Sequence, residues 1–520
     1  MLPGAKPLRS LPFFGMLLLG LQGSGAAQSP AGANSQPNVS PQSHISAAQA
    51  KELFRSVDTI LQFDAKDTGL AVHHGVKRRL MTRDEVVAFL KQKMDEDKDT
   101  ARIEQSAIVL EKFGLLPRHF ALRPFLLKLL GEQVAGFYDS KTKTVNMLDW
   151  IDADTQKPVL AHELTHALQD QYQGSRHIDL DKWENAGPDD PAVNVEQDRE
   201  HIRSDETDSA REAVLEGQAM VAYLDWGLAG KGQTLRTMPD IAMDDMSDAT
   251  SKDADSPVLA SAPLVLRESL LFPYQDGLAF EQRVLKDRGT QAAFAGALDH
   301  PPSTSWEILH PVSYERGEHM PLLAMPDLHP LLDRDWAPYD VGVMGALDVR
   351  MLGEALGDKG AGADAALAWN GGLYYAGQAR SATTATAKGD TASLALVYLS
   401  RWKTPEAAAA FAGVYRGSLP KHYGGLRLQT QAPQSQGQPG ERAVYSSEEG
   451  PILVARQGRF VFISHSLPVP LAEQVMMLMV DAQTAHGGSE STMPQASVSE
   501  PLRHFFASHG IMQAAMSRVY

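Results

Sequence analysis

Two histidines and a glutamate in this chain are spaced for metal chemistry. They fall in the stretch Pro158-Val159-Leu160-Ala161-His162-Glu163-Leu164-Thr165-His166-Ala167-Leu168-Gln169-Asp170-Gln171-Tyr172. Residues four apart lie on one face of a helix, so the imidazoles of His162 and His166 can meet at a common ion. Glu163 follows the first of them directly, which sets its carboxylate beside an open coordination position where water would sit. A metal acidifies such a water, and the carboxylate takes its proton to make a nucleophile for a peptide carbonyl. A catalytic zinc needs a third protein ligand, and the pattern H-E-x-x-H-x-x-G-x-x-H does not supply it. Gln169 and Tyr172 stand where that pattern has Gly and His. A second segment, residues 208–223, has helical periodicity and carries Glu212 and Glu216 one turn apart, and either can complete a His-His-Glu set.

These groups need rigid elements to hold them. Leu160, Leu164 and Leu168 form an apolar stripe at helical spacing, with Ala161 and Ala167 as good helix formers. Asp154 or Thr155 is expected to cap the start and Gly174 to stop the helix. Upstream, residues 133–148 read as a β-hairpin around a polar turn, so that a strand leads into the helix.

His162-Glu163-Leu164-Thr165-His166-Ala167 resembles the active helix of the gluzincins, the thermolysin-like and aminopeptidase-like zinc peptidases. Leu215-Glu216-Gly217-Gln218-Ala219 resembles the Asn-Glu-Gly-x-Ala block of the aminopeptidase branch, which implies Glu216 as third ligand. Glu212 followed by Glu216 is a looser match to the Glu-x-x-x-Asp of the thermolysin branch. The glutamate that does not ligate, or Asp170, is then placed to hydrogen-bond a ligand imidazole. In that family a His or Tyr steadies the oxyanion. The block 300–314 offers His310 and Tyr314 for this role, against a plainer reading as a rigid Pro- and Ser/Thr-rich loop. The block also resembles a segment of poorly characterised secreted bacterial proteins. The family's strand beside the active helix binds extended peptide by main-chain hydrogen bonds, which the hairpin could do here, or it is a plain structural hairpin.

The formal charge of −16 argues against nucleic acid or anionic membranes as partners, since both call for a basic face. Residues 1–27 read as a secretory signal, with Lys6 and Arg9 before an apolar run and small residues at its end. That run is too short to span a bilayer, and its removal takes the charge to −18. The expected location is therefore secreted or periplasmic, with no membrane in the mature form. The absence of cysteine excludes disulfides, thiolate ligands and a Cys nucleophile, so stability must come from core burial.

In chain order, 28–44 reads as a flexible leader and 45–130 as a helical subdomain, with a capping box at Thr82-Arg83-Asp84-Glu85. A catalytic domain follows over 131–355, with an Asp- and Met-rich surface loop near 230–257. A Gly/Ala-rich connection spans 356–390, and a smaller α+β domain of strands and two helices spans 391–484. Residues 485–520 read as a linker and a short amphipathic terminal helix. His177, His201, His319 and His465 read as surface or structural.

The expected fold is α+β and predominantly helical. The expected function is that of an exported metallopeptidase, more an endo- than an exopeptidase, acting on peptide or protein. His162, His166 and Glu216 would hold one Zn2+ with Glu163 as base. Two other classes stay open: an inactive or peptide-binding protein on a peptidase scaffold, and a zinc hydrolase for a non-peptide substrate.

Overall fold

The helix carrying the two histidines starts where a glutamine side chain takes over from a β-strand. The computed structural model describes residues 44–96, 99–174, 180, 194–240, 256–320, 323–433, 440–485 and 511–513. The expected signal and leader to residue 43, the tip of the 230–257 loop, His177 and most of the terminal segment lie outside them. Helices of eight or more residues are numbered α1 to α11. They are α1 (Ala47–Thr68), α2 (Arg83–Glu96), α3 (Asp99–Phe113), α4 (Leu122–Gln133), α5 (Ala153–Asp170) and α6 (Val195–Ala229). They continue with α7 (Leu264–Arg288), α8 (Ala346–Leu356), α9 (Lys359–Ala368), α10 (Pro405–His422) and α11 (Val469–Ala485).

The first sheet holds β1 (Lys77–Met81), β2 (Val134–Asp139), β3 (Thr144–Leu148) and β11 (Ile511–Gln513), in the order β1-β3-β2-β11. β1 runs parallel to β3, and the other pairs are antiparallel. The hairpin of β2 and β3 leads into α5 as the turn chemistry implies. Gln156 in the first turn of α5 accepts from Leu148 N and donates to the carbonyls of Leu148 and Ile151, so the helix leaves the strand at a set angle. The cap is Asp152, whose carboxylate accepts from the amides of Asp154 and Thr155, and not Asp154 or Thr155 itself. The helix ends at Asp170, before Gly174. The Thr82–Glu85 capping box is present at the start of α2.

Residues 159–170 of α5 are all buried, because α1, α6 and the first sheet surround it. A helix enclosed on every side can place polar groups inside only where they meet partners. α6 runs 35 residues, about 50 Å, and its second half packs on both α5 and α7. Gly217 of α6 and Gly277 of α7 meet where the two helices cross. A Cβ at Gly277 would lie 2.2 Å from the Ala213 carbonyl oxygen, and one at Gly217 would lie 2.4 Å from that of Gly277.

The second sheet is antiparallel throughout, in the order β4-β5-β6-β10-β9-β8-β7. Its strands are β4 (Trp336–Val343), β5 (Trp369–Ala379), β6 (Leu394–Trp402), β7 (Arg427–Pro433), β8 (Gly440–Ser447), β9 (Gly450–Gln457) and β10 (Phe460–His465). It therefore opens at Trp336 and takes in part of the stretch read as a Gly/Ala connection. Gly372 explains that composition: the carbonyl of Met344 and the ring of Tyr398 approach to where a Cβ would sit. α3 ties this sheet to the helices, since its buried Lys112 ammonium donates to Thr391 O, Glu449 and Ser466 Oγ. The described residues from His44 onward form one compact unit with a contiguous core. Residues 511–513 form a strand, which corrects the expected terminal helix at those positions. A three-residue strand needs a distant partner, and local periodicity cannot show one. Among the described residues no helix is long and apolar enough to cross a membrane.

The lower end of α1 packs on α6 through carboxylates. Asp67 donates to Asp225, which also accepts from Leu235 N, and buried Asp64 lies beside Asp67. Burial and then the Asp225 charge push Asp67 up to about 7, and burial lifts Asp225 to about 6. Folded-state values above the unfolded ones mean that the folded protein holds these protons more tightly. Their stabilisation is complete below about pH 4 and is lost as pH rises through about 6 to 7. Asp67→Asn keeps the donor without the charge, and should raise stability at pH 8 by on the order of 1 kcal/mol with little gain at pH 4. Thermal melts across that range would check it, and equal pH slopes in both proteins would contradict it.

Candidate metal centre

Helical spacing on α5 brings His162 and His166 to the same side, and α6 lays Glu216 against them. The Nε2 atoms of the two histidines are 3.1 Å apart. Glu216 Oε2 lies 2.9 Å from Nε2 of His162 and 3.5 Å from Nε2 of His166. Donor atoms about 2.0–2.1 Å from a tetrahedral ion stand roughly 3.3 Å from one another, so this triangle has the edge lengths of a three-ligand site. Glu216 Oε2 is buried, and despite these approaches it has no hydrogen bond of proper geometry. A carboxylate oxygen aimed between two imidazole nitrogens in this way fits a cation. These three residues form a buried group able to hold a metal ion. Glu212, one turn earlier on α6, is buried on the side of Tyr274 and is not in the group.

The electrostatics agree. Burial alone would raise Glu216, but the facing imidazoles, His166 first, hold it down at about 2. Burial would lower His166, but Glu216 lifts it to about 9. Burial lowers His162. Without an ion the cluster keeps a proton between His166 and Glu216, and a metal takes the place of that proton.

His166 is oriented by an amide. Gln169 Nε2 donates to the Leu215 carbonyl at 3.0 Å, and a carbonyl only accepts, so the Gln169 oxygen must face His166 Nδ1 at 2.8 Å. His166 therefore donates through Nδ1–H and offers Nε2 to the ion. Gln169 also donates to Gln218 Oε1, and Gln218 donates to the carbonyls of Ala293 and Phe294. Gln169→Leu should weaken metal affinity about 10–100-fold. Competition with a chelator would measure this, and unchanged affinity would remove Gln169 from the orienting role.

Asp170, the residue expected in such a role, is engaged elsewhere. It accepts from Tyr138 Oη at 2.8 Å and from Lys143 Nζ at 2.6 Å, which binds the hairpin to the end of α5. A helix turns 100° per residue, so the neighbour of an orienting residue faces another way.

Glu163 is fully buried, and its charge acts on both His166 and Tyr274. Gly136 of β2 lies over it: a Cβ there would crowd Val159 Cγ1 at 3.0 Å and stand 3.8 Å from Glu163 Cγ. Tyr274 of α7 is a member of the site that sequence reasoning missed. Its ring stacks on His162 with centroids 6.0 Å apart, and its buried hydroxyl donates to Glu216. It sits in the apolar run Leu270-Leu271-Phe272-Pro273-Tyr274, where the one available signal was a phenol that needs a partner once buried.

His310 and Tyr314 are not brought to the triad. His310 stacks on Trp306, with Nδ1 2.8 Å from the Trp306 carbonyl. Tyr314 packs on Phe280 and donates to the His300 carbonyl at 2.7 Å. Neither shares a hydrogen bond or ring contact with His162, His166 or Glu216, and their bonds are those of a rigid loop. His465 is buried between the hydroxyls of Tyr415 and Tyr423.

Compared with family models, curated proteins and solved structures, the chain finds no match. The class is therefore set by the site alone: a mixed α+β protein with a buried His-His-Glu group suited to a metal ion.

Proposed function

We propose that this chain is an exported zinc-dependent peptidase. The observation that carries the reading is the convergence of His162, His166 and Glu216, with Glu163 beside the first ligand on the same buried helix. Two imidazoles and one carboxylate are the donor set of catalytic zinc, and the chain has no thiolate to close a structural site. Zinc held there would supply Lewis acidity toward a water and a carbonyl oxygen. Glu163 takes the proton of the attacking water and returns it to the leaving nitrogen. Gln169 keeps His166 turned to the site, and Tyr274 holds the Glu216 carboxylate by donating to it. Residues 1–27 direct export.

A second reading has one observation in its favour. His162, Glu163 and Glu216 are 0–3 % exposed, as they would be around a structural ion. The test is cleavage of an unfolded protein by the zinc-loaded full chain, lost on chelation and restored by zinc. Zinc binding without cleavage would favour the structural reading.

A further inference from the structure

Gln218 of α6 is fully buried and is not a ligand, yet both polar atoms of its side chain are engaged. Its Nε2 lies 2.9 Å from the Ala293 carbonyl oxygen and 3.1 Å from that of Phe294, and its Oε1 lies 3.0 Å from Gln169 Nε2. Carbonyl oxygens only accept, so the Gln218 nitrogen must face them and its oxygen must face Gln169. Gln169 in turn gives one N–H to Gln218 and the other to the Leu215 carbonyl, which leaves its oxygen for His166 Nδ1 at 2.8 Å. The polarity of the chain is thus set from its far end. Main-chain carbonyls order Gln218, Gln218 helps to order Gln169, and Gln169 orders the imidazole of a proposed ligand.

That far end is unusual in itself. Ala293 and Phe294 belong to a π-helical turn, Ala292–Gly296. Such turns are rare, hydrogen-bond one residue further along than an α-helix, and recur at functional sites. A second tie joins the same segment to α5: just beyond that helix, the Tyr172 hydroxyl lies 3.1 Å from Asp299 Oδ2 and 3.3 Å from the Ala295 carbonyl oxygen. Residues 292–299 are therefore linked to the histidine-bearing helix twice, from inside through two amides and at its end through a phenol.

We propose that Gln218 is a positioning residue of the metal centre, acting on His166 through Gln169, and that it couples the π-turn at 292–296 to the bound ion. A metal that fixes His166 draws the two amides into a single arrangement and holds the turn at their far end. The inference rests on the reading of His162, His166 and Glu216 as metal ligands, and not on peptidase activity. The plainer alternative is that Gln218 only satisfies two buried carbonyls. The two differ in whether the effect of Gln218 on the metal passes through Gln169.

The test measures Zn2+ affinity of the full chain by competition with a chelator, for Gln218→Met, Gln169→Leu and the two together. Methionine matches glutamine in length and carries no amide. Gln218→Met alone should weaken Zn2+ binding about tenfold, the lower end for an outer partner of a ligand, because the Leu215 carbonyl still holds Gln169. In the Gln169→Leu background the same substitution should change affinity by less than about twofold, since the link it acts through is already gone. Circular dichroism and melting would establish that the variants are folded. Unchanged affinity in the single variant, or the same loss in both backgrounds, overturns the inference. A second measurement needs no variant: in the wild type, Zn2+ should slow hydrogen exchange of residues 292–299 more than that of the equally buried strand residues 461–463. Zn2+ that binds and leaves 292–299 exchanging at the metal-free rate overturns it equally. A wild type that takes up no Zn2+ sinks the metal reading and this inference with it, whereas tight binding with additive losses sinks the inference alone.

Discussion

Full-length protein carrying Glu216→Gln is expected to lose its zinc, while Glu163→Gln keeps the metal and loses cleavage. Glutamine matches glutamate in shape but removes the charge that faces His166 and His162. The affinity lost should exceed the roughly hundredfold upper end seen when only an outer partner of a ligand is removed. Zinc should raise the melting temperature of the wild type and leave that of Glu216→Gln unmoved, because binding to the folded state alone is what stabilises it. Glu163→Gln leaves all three ligands in place, so its zinc-dependent melting shift should persist. Its rate should fall by about 10²–10⁴, the range for loss of a general base. The pair of readouts separates the assignments. If Glu212→Gln loses the metal and Glu216→Gln does not, the ligand assignment is wrong. If Glu163→Gln still cleaves, the base is another group.

How much of this was readable beforehand depended on the range of the interactions. His162 and His166 could be placed because a helix sets the geometry of residues four apart without help from the rest of the chain. The hairpin at 134–148 and the Thr82–Glu85 box were legible for the same local reason. Glu216 lay on a segment whose helicity was readable. Its choice over Glu212 needed a resemblance, since a one-turn difference in register depends on how α6 packs on α5. Gln169 is not legible in the sequence, because an orienting amide follows no spacing rule and the acidic neighbour Asp170 is the residue type that such a role suggests. Tyr274 escaped inside an apolar run. β11, and the pairing of β4 and β5 into the second sheet, depend on contacts between distant segments. His310 and Tyr314 were of the right residue type, but their loop turns them to Trp306 and Phe280.

The close crossing of α6 and α7 gives the second large expected effect, from a residue that touches no metal. Gly277→Ala adds one methyl group, yet its Cβ would stand 2.2 Å from the Ala213 carbonyl oxygen, a main-chain atom that no rotamer change can move. The helices must separate. Overpacking of this kind costs about 1–3 kcal/mol, and contact with backbone puts this case at the upper end, roughly 3 kcal/mol. The damage should also reach the metal. Tyr274 lies one turn before Gly277, and Glu216 is the neighbour of Gly217, so separation draws the Tyr274 hydroxyl away from the ligand it holds. Weaker zinc binding by the folded variant is expected together with a lower melting temperature. Gly227→Ala, on the facing helix α6, is the control, because a Cβ there meets nothing within 4 Å. It should stabilise by about 0.5–1 kcal/mol through helix propensity alone. A Gly277→Ala protein that melts with the wild type and keeps full zinc affinity would mean that the helices can part at no cost, and that this crossing does not position the site.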